Sequence, residues 1–254
     1  MTAGRPLALV TGGWRRIGAA IARKLAAEGW DVALHAHHAD AFDPVFGEAL
    51  AAMGAAVFAL PGDLEDTASA ARLLADVRQE AGRAPVLLVN CASAFHEDSI
   101  ASLSPEGLEA HFRVNLFSPL LLTRAFAEAL GEGAGAVVHI LDQRVRNPVP
   151  DQLSYTLSKQ ALDASVRTLA RALAPRVRVN GVAPGLTLPT PDYGAAQWQA
   201  LERMMPLQRL PGADEIADAV HFLATAPSIT GQTLFVDAGA SLESYPRDFV
   251  YLGK

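Results

Sequence analysis

Three polar residues in the middle of the chain have the types and spacing that proton transfer requires. Tyr155 and Lys159 are separated by one turn of a helix, so both side chains project from the same helical face. A phenol has an ordinary pKa of about 10, and a neighbouring lysine cation should lower that pKa by favouring the phenolate. Asp142 precedes the tyrosine and adds a carboxylate. We expect these three side chains to form a catalytic set that moves a proton.

A glycine-rich segment near the start of the chain could bind a pyrophosphate. The apolar run Leu7–Thr11 is typical of a buried parallel strand. Gly12 and Gly13 then allow a tight turn, Gly18 allows close contact between helix and sheet, and the next helix points its first amides at the phosphates. A second strand at Asp31–His35 supplies the context that distinguishes a dinucleotide site from an isolated glycine turn.

Apolar and amphipathic segments alternate along the rest of the chain. The predicted strands are Leu7–Thr11, Asp31–His35, Ala56–Leu60, Pro85–Asn90, Ala136–Leu141, Val177–Val182 and Thr233–Asp237. The predicted helices are Arg16–Glu28, Pro44–Met53, Ala68–Glu80, Pro105–Leu130, Leu153–Ala174 and Ala213–Ala224. This alternation predicts an α/β Rossmann fold, a doubly wound seven-stranded parallel sheet with helices on both faces.

Length and composition fit one domain over residues 1–254. Half of the 254 residues are hydrophobic, enough for a sizeable core, but no apolar run is long enough to cross a bilayer. The single Cys91 excludes an intrachain disulfide and agrees with a reducing cytoplasm. A net charge of −6 gives no reason to expect a nucleic-acid partner. We therefore expect a cytoplasmic protein with neither nucleic-acid nor membrane partners.

We predict no metal site. No group of Cys and His residues has the spacing of metal ligands. His37 and His38 are adjacent, and on a strand their side chains would point in opposite directions.

Two segments lie outside the alternation of strands and helices. The segment 186–211 is rich in proline, has a predicted short helix near Trp198, and is interpreted as a mobile lid over the substrate. The aromatic tail 241–254 has no obvious place in the sheet. It is a candidate to reach the active site of a neighbouring subunit.

Over residues 6 to about 242 the chain resembles the short-chain dehydrogenase/reductase family. The matching motifs are Thr11-Gly12-x-x-x-Arg16-Ile17-Gly18, Asp63, Asn90-Cys91-Ala92-Ser93, Asn115, Asp142…Tyr155-x-x-x-Lys159, Pro184-Gly185 and Thr230-Gly231…Asp237. In that family the tyrosine is the general acid/base, the lysine also holds the nicotinamide ribose, and the asparagine supports a proton-relay water. The resemblance implies these roles for Tyr155, Lys159 and Asn115. It also implies a homotetramer assembled through the helices that carry these residues and through the last strand.

Three departures from the family pattern narrow the expected substrate. The family usually has a serine at the position of Asp142, and an ionised carboxylate can only accept hydrogen bonds. It would repel a developing alkoxide and favour a nitrogen that is becoming protonated. With Arg16 in the glycine turn, and with Ser93 and Phe95 after the fourth strand, the chain is similar to the pteridine reductase and dihydromonapterin reductase branch. There the phenylalanine stacks on the pterin, which implies substrate contacts at Arg16, Ser93, Phe95, Asp142 and Tyr155.

The end of the second predicted strand favours NADPH over NADH. An acid there would bind the ribose hydroxyls and repel a 2′-phosphate, but no acid follows His35 until Asp40. Arg16, helped by Arg15, His37 and His38, offers positive charge to that phosphate. The resemblance further implies that Asp63 and Leu64 contact the adenine. The full set of expected cofactor contacts is Gly12, Arg15, Arg16, Ile17, Gly18, His37, His38, Asp63, Leu64, Asn90, Ala92, Ser93, Lys159, Pro184, Gly185 and Thr187.

Other interpretations of these residues remain open. Phe95 could cap an apolar edge of the sheet, and Asp142 could be a structural acid paired with Arg144 or Arg146. The protein could be an NADPH-dependent carbonyl reductase acting on 3-oxoacyl chains or a small ketone. It could also bind a dinucleotide without turnover, although the presence of Asn115, Tyr155 and Lys159 argues against that.

Overall fold

The computed structural model describes residues 4–254, in which seven parallel strands form a single sheet. The strand order is β3-β2-β1-β4-β5-β6-β7, which confirms the predicted doubly wound α/β fold. The strands are β1 Leu7–Val10, β2 Asp31–Ala36, β3 Val57–Pro61, β4 Leu87–Asn90, β5 Gly135–Ile140, β6 Val177–Pro184 and β7 Thr233–Val236.

Helices cover both faces of the sheet because the strands are apolar on both sides. They are α1 Arg16–Ala27, α2 Pro44–Ala52, α3 Thr67–Ala81, α4 Pro105–Phe112, α5 Ser118–Leu130, α6 Leu153–Leu173, α7 Ala195–Met204 and α8 Ala213–Thr225. Alternate β1 residues point to opposite sides: Ala8 and Val10 join a core with α1, α2 and α8, whereas Leu7 and Leu9 join one with α3 and α5. Over residues 4–254, no helix has the length and apolar character needed to span a membrane.

The predicted helix Pro105–Leu130 is interrupted by a turn of π-helix. Helix α4 ends at Phe112, residues Arg113–Phe117 form the π-helical turn, and α5 begins at Ser118. A π-helical turn inserts a residue into the α-helical ladder and changes where the following side chains point. Asn115 lies in this turn and is fully buried.

The tail packs against α7 of its own chain, and its contact with a neighbouring subunit stays a prediction. Phe249 is buried in a small apolar cluster with Leu201 and Met205 of the segment around α7. The amide of Gln197 in α7 donates to the carbonyl oxygens of Phe249, Val250 and Leu252 at 2.8–3.3 Å. The predicted helix near Trp198 is present as α7, and it is tied to the tail.

Candidate active site

The phenol of Tyr155 and the carboxylate of Asp142 meet at the carboxyl end of β5. Asp142 lies two residues beyond the end of this strand, and Tyr155 lies in the first turn of α6. The Tyr155 hydroxyl donates to Oδ2 of Asp142 at 3.0 Å. The other carboxylate oxygen, Oδ1, accepts from the backbone N–H of Arg144 at 2.9 Å and from its Nε at 3.2 Å. Asp142 therefore has both proposed partners at once, the tyrosine and the arginine.

The environment of Tyr155 raises its pKa, which is opposite to the expected effect of the lysine. The side chain is buried, and burial together with the Asp142 carboxylate raises the pKa of the phenol well above 10, although Arg144 acts in the opposite direction. Both effects disfavour an additional negative charge. The expectation of a lowered pKa is wrong because burial and the Asp142 carboxylate, which accepts the phenol hydrogen, dominate over the charge of Lys159. Tyr155 is thus a protonated donor at neutral pH.

Lys159 lies next to the Tyr155 ring, and its amine is buried. Its Nζ atom donates to the carbonyl oxygen of Ile140 at 2.9 Å and lies 5.8 Å from the centre of the Tyr155 ring. Burial lowers the pKa of this lysine from 10.5 to about 8, against the opposing effect of Asp142. A buried amine with a single carbonyl partner retains two further hydrogen-bond donors.

The Phe95 ring forms one wall beside the phenol and is half exposed. It meets the Tyr155 ring edge-on, with centroids 4.8 Å apart and an angle of 76° between the planes. The guanidinium of Arg144 lies 5.9 Å from the Phe95 ring centre and 5.2 Å from that of Tyr155. Because 49% of Phe95 remains accessible, it is not a simple cap on the apolar edge of the sheet. An open aromatic face lies next to the proton donor.

Asn115 joins the loop after β4 to helix α6. Its amide nitrogen donates to the carbonyl oxygen of Ala94 at 2.9 Å and to Oγ of Ser158 at 3.0 Å. Its oxygen accepts from the Ala94 N–H at 2.8 Å and from Oγ of Ser93 at 3.1 Å. These four bonds use the whole capacity of the side chain, so it positions the loop that carries Phe95 and has no free group for a relay water.

The glycine turn has the close packing expected of a phosphate cradle. Gly12 has a φ of 64°, a left-handed conformation that suits glycine, and a Cβ on Gly18 would overlap the Gly12 carbonyl oxygen. The Gly12 N–H donates to Nδ1 of His35 at 3.3 Å, and His35 Nε2 bonds the Gly62 carbonyl oxygen at 2.8 Å. Burial lowers the pKa of His35, which keeps this ring neutral under the turn.

The predicted cations of the glycine turn are exposed, and Arg16 has a backbone φ of 53°. That value lies in the left-handed region, which costs a residue with a side chain about 1–2 kcal/mol. Arg15 immediately precedes α1, and Ile17 and Gly18 lie in its first turn.

His37 and His38 lie after β2 has ended, and their rings stack with centroids 3.8 Å apart. The expectation that the two side chains diverge is therefore wrong. His37 Nε2 lies 3.4 Å from Asp63 Oδ1. Across residues 4–254 no group of three or more His, Cys, Asp or Glu side chains could hold a metal ion.

The other predicted cofactor residues lie at or just after the carboxyl ends of β3, β4 and β6. Asn90 ends β4 and bonds His139 Nδ1 at 3.1 Å, and the Ala92 N–H donates to the Thr11 hydroxyl at 3.0 Å. Leu64 is buried in the core, so its side chain does not line an open site. Pro184 ends β6, Gly185 and Thr187 follow it, and the Thr187 hydroxyl donates back to the Gly185 carbonyl oxygen at 2.8 Å.

Sequence reasoning missed the extent of the network around Arg144. The side chain is only 6% exposed, and besides Asp142 it bonds Oε1 of Gln152 at 3.1 Å and Oδ2 of Asp248 at 2.6 Å. Burial opposes this charge, but Asp142, Tyr155 and Asp248 outweigh it and raise the pKa of Arg144. The only signal in the sequence is the proximity of Arg144 to Asp142, since nothing local marks Asp248.

Three findings relate the chain to known proteins. A family model described as enoyl-(acyl carrier protein) reductase matches residues 13–241. Pteridine reductase 1 of Leishmania tarentolae is 31% identical over 280 residues, covering 93% of this chain and 96% of that protein. The granaticin polyketide synthase putative ketoacyl reductase 2 of Streptomyces violaceoruber is 33% identical over 245 residues, covering 93% and 96%.

A solved structure of a reductase has a similar fold. The crystal structure of FolM alternative dihydrofolate reductase 1 from Brucella canis, complexed with NADP, matches with a TM-score of 0.86 and 38% identity. The match covers 94% of this chain and 95% of that one.

Proposed function

Because the chain belongs to the short-chain dehydrogenase/reductase family of oxidoreductases, we propose that it reduces a dihydropterin with NADPH. The observation that carries this proposal is the hydrogen bond between Tyr155 and the Asp142 carboxylate. A carboxylate paired with a protonated phenol suits a substrate nitrogen that gains a proton and opposes a substrate oxygen that gains negative charge.

The residues at the glycine turn fit a dinucleotide. The cradle at Gly12 and Gly18 has no room for a Cβ on Gly18, as the close packing of helix against strand in a dinucleotide-binding turn requires. The residue that ends β2 is Ala36, so no carboxylate at that position would repel a 2′-phosphate. The exposed Arg15 and Arg16 supply positive charge, and NADP in the Brucella relative supports the same choice. When bound, NADPH supplies the hydride.

The residues of this chain account for the proton and the orientation of the substrate. Tyr155 is protonated at neutral pH and donates its hydroxyl proton to the substrate nitrogen. Lys159 would hold the nicotinamide ribose with the N–H donors that the Ile140 carbonyl oxygen leaves free. Phe95 offers its exposed ring to one face of the pterin, and stacking of a flat heterocycle on an aromatic ring is worth about 1–3 kcal/mol. General acid catalysis of this kind contributes about 10²–10⁴-fold.

The test compares two substrate classes on the same protein preparation. NADPH oxidation is measured with 7,8-dihydropterins and with 3-oxoacyl thioesters and small keto-esters, for wild type and Phe95→Ala. We expect turnover of the dihydropterin, with a KM about ten- to a hundredfold higher in the variant and an unchanged Kd for NADPH. The matched control is Phe222→Ala on α8, because Phe222 is 51% exposed and lies outside the site. The control should leave both constants unchanged.

Oxidation of NADPH with keto-esters alone would contradict the pterin proposal. It would favour carbonyl reduction, the second candidate function, which the family description and the ketoacyl reductase relative support. Tight NADPH binding without turnover of either class would point instead to a protein that binds the cofactor without catalysis.

We propose further that the protein is a homotetramer. Phe117 and Leu157 are exposed apolar side chains near the start of α5 and on α6, and a shallow groove between these helices is lined by Leu120, Ala127, Leu169 and Leu173. Sedimentation equilibrium of wild type and of Leu169→Glu tests this proposal. A wild-type monomer would refute it, whereas a tetramer that the variant dissociates would support it.

A further inference from the structure

Arg144 carries a buried charge between two carboxylates that come from distant parts of the chain. Nε contacts Asp142 and Nη2 contacts Asp248, at 3.2 and 2.6 Å. Both arginine and Asp248 are almost fully buried. A buried charge is costly unless each of its partners is present in good geometry. The position of the guanidinium beside Asp142 therefore depends on Asp248 as well.

The tail holds Asp248 firmly in this place. Its backbone N–H donates to Oδ2 of Asp151 at 2.8 Å, and its own Oδ1 accepts from the Val250 N–H at 2.9 Å. Arg247 pairs with Asp151 at 2.8 Å, and Phe249 on the other side is buried in the apolar cluster near α7. Asp248 thus has little freedom to move, and Arg144 is held at a fixed position.

We propose that Asp248 is a positioning residue for the proton-transfer pair, acting through Arg144 on the Asp142 carboxylate. This inference rests on the proposed function of the Tyr155–Asp142 pair. Arg144 has two of its bonds on Oδ1 of Asp142, which leaves Oδ2 for the tyrosine. Without the charge on Asp248, the remaining partners of the guanidinium among residues 4–254 are Asp142 and Gln152. The carboxylate then rotates away from the phenol.

Other ionisable groups surround this network. From α6 and the segment before it come Tyr155, Lys159 and Asp151, from the tail come Arg247 and Asp248, and Glu97 bonds the Gln152 amide at 2.9 Å. Tyr193, on the segment before α7, lies near the network. Burial and the Asp248 carboxylate raise the pKa of Tyr193, whereas Arg144 lowers it. Asp248 is among the groups that raise the pKa of Tyr155.

The first experiment is a double-mutant cycle with Asp248→Asn and Asp142→Asn. Asparagine keeps the shape and one acceptor oxygen of aspartate but removes its charge. We expect Asp248→Asn to lower kcat about tenfold with the KM for NADPH unchanged, and to have no further effect in the Asp142→Asn background. Glu243→Gln is the matched control, since it neutralises an exposed carboxylate in the same tail. It should leave kcat unchanged.

If Asp248 only stabilises the fold, Asp248→Asn would lower kcat by the same factor in the wild-type and Asp142→Asn backgrounds. That result would overturn the proposal. The substrate is whichever of the dihydropterin and the keto-ester wild type reduces, so failure of the pterin proposal alone leaves this test intact.

A second readout does not depend on turnover. The alkaline rise in tyrosinate absorbance is compared between each protein and its Tyr155→Phe counterpart, which isolates the ionisation of Tyr155. Asp248→Asn should shift this rise to lower pH, because one negative charge near the phenol is gone, and Glu243→Gln should leave it in place. An unshifted rise in Asp248→Asn would overturn the proposal even if wild type reduced neither substrate.

Discussion

Replacing Lys159 by methionine should stabilise the free protein at neutral pH and abolish its activity. Lys159 is 2% exposed, and within residues 4–254 its amine has one hydrogen-bond partner, the Ile140 carbonyl oxygen. Its pKa is about 8 in the folded protein and 10.5 in the unfolded chain, so folding disfavours the charged form. Below pH 8 the lysine is protonated in both states and the whole cost of burying the charge is present.

The size of the effect follows from these two pKa values. Their difference corresponds to about 3 kcal/mol of stability that the lysine removes at pH 7. Methionine has a similar length and no charge, but it leaves the Ile140 carbonyl without one partner, which costs about 1 kcal/mol. The net gain is about 2 kcal/mol, or a rise in Tm of roughly 5 °C. Above pH 10.5 the lysine is neutral in both states, and the gain should disappear.

Urea unfolding of the cofactor-free protein at pH 7 and pH 10 measures this difference. NADPH oxidation by the same preparations should fall by at least about a hundredfold. The control is Lys24→Met, because Lys24 lies at the surface and pairs with Glu28 and Asp218 at 2.9 Å. We expect this variant to lose slight stability and to keep its activity. A Lys159→Met protein that is less stable at pH 7 than wild type would refute the reasoning about the buried amine.

Three further substitutions test other parts of the site. Arg16→Gly should raise the free energy of unfolding in urea by about 1 kcal/mol, because glycine adopts the left-handed backbone without strain. Titration calorimetry should show that the variant binds NADPH more weakly but NADH as wild type does. Equal weakening for both cofactors would contradict a contact between Arg16 and the 2′-phosphate. His139→Asn should make the protein less sensitive to acid. Burial lowers the pKa of this histidine from 6.5 to about 3, so wild type loses up to roughly 5 kcal/mol of folding stability as the pH falls from 6.5 to about 3. If the variant unfolded in acid as wild type does, protonation of His139 would not be the cause of acid unfolding. Gly18→Ala should abolish NADPH binding and destabilise the fold through its overlap with Gly12, whereas Gly194→Ala, where a Cβ meets open space, should leave both as in wild type.

The sheet could be predicted from the sequence because its strands are apolar on both faces. Each predicted strand overlaps an observed strand, and the glycine turn lies where β1 ends. The proximity of Tyr155 and Asp142 follows from the same arrangement of strands and helices, since Tyr155 lies in the first turn of α6 and Asp142 lies just beyond the end of β5. Local periodicity and the carboxyl ends of parallel strands are enough to bring these residues together.

The remaining features depend on contacts that no local pattern encodes. The π-helical turn at Asn115 depends on packing, and the helical periodicity of Pro105–Leu130 does not reveal it. The direction of the Tyr155 pKa shift depends on burial and on the Asp142 carboxylate, whereas spacing alone suggested that the Lys159 cation would lower this pKa. The bond between Arg144 and Asp248 joins positions 104 residues apart, so it appears only once the tail is folded.

That separation also orders the assembly of the protein on the ribosome. Domains begin to form while the chain is being made, at about 5–20 residues per second. Arg144 emerges 104 residues before Asp248, so for several seconds the arginine has no tail carboxylate to accompany it into the interior. During that interval all strands up to β7 can already be synthesised. The Tyr155–Asp142 pair, however, still lacks the contact of Arg144 with Asp248. The newly made enzyme should therefore acquire its shape before it acquires its activity.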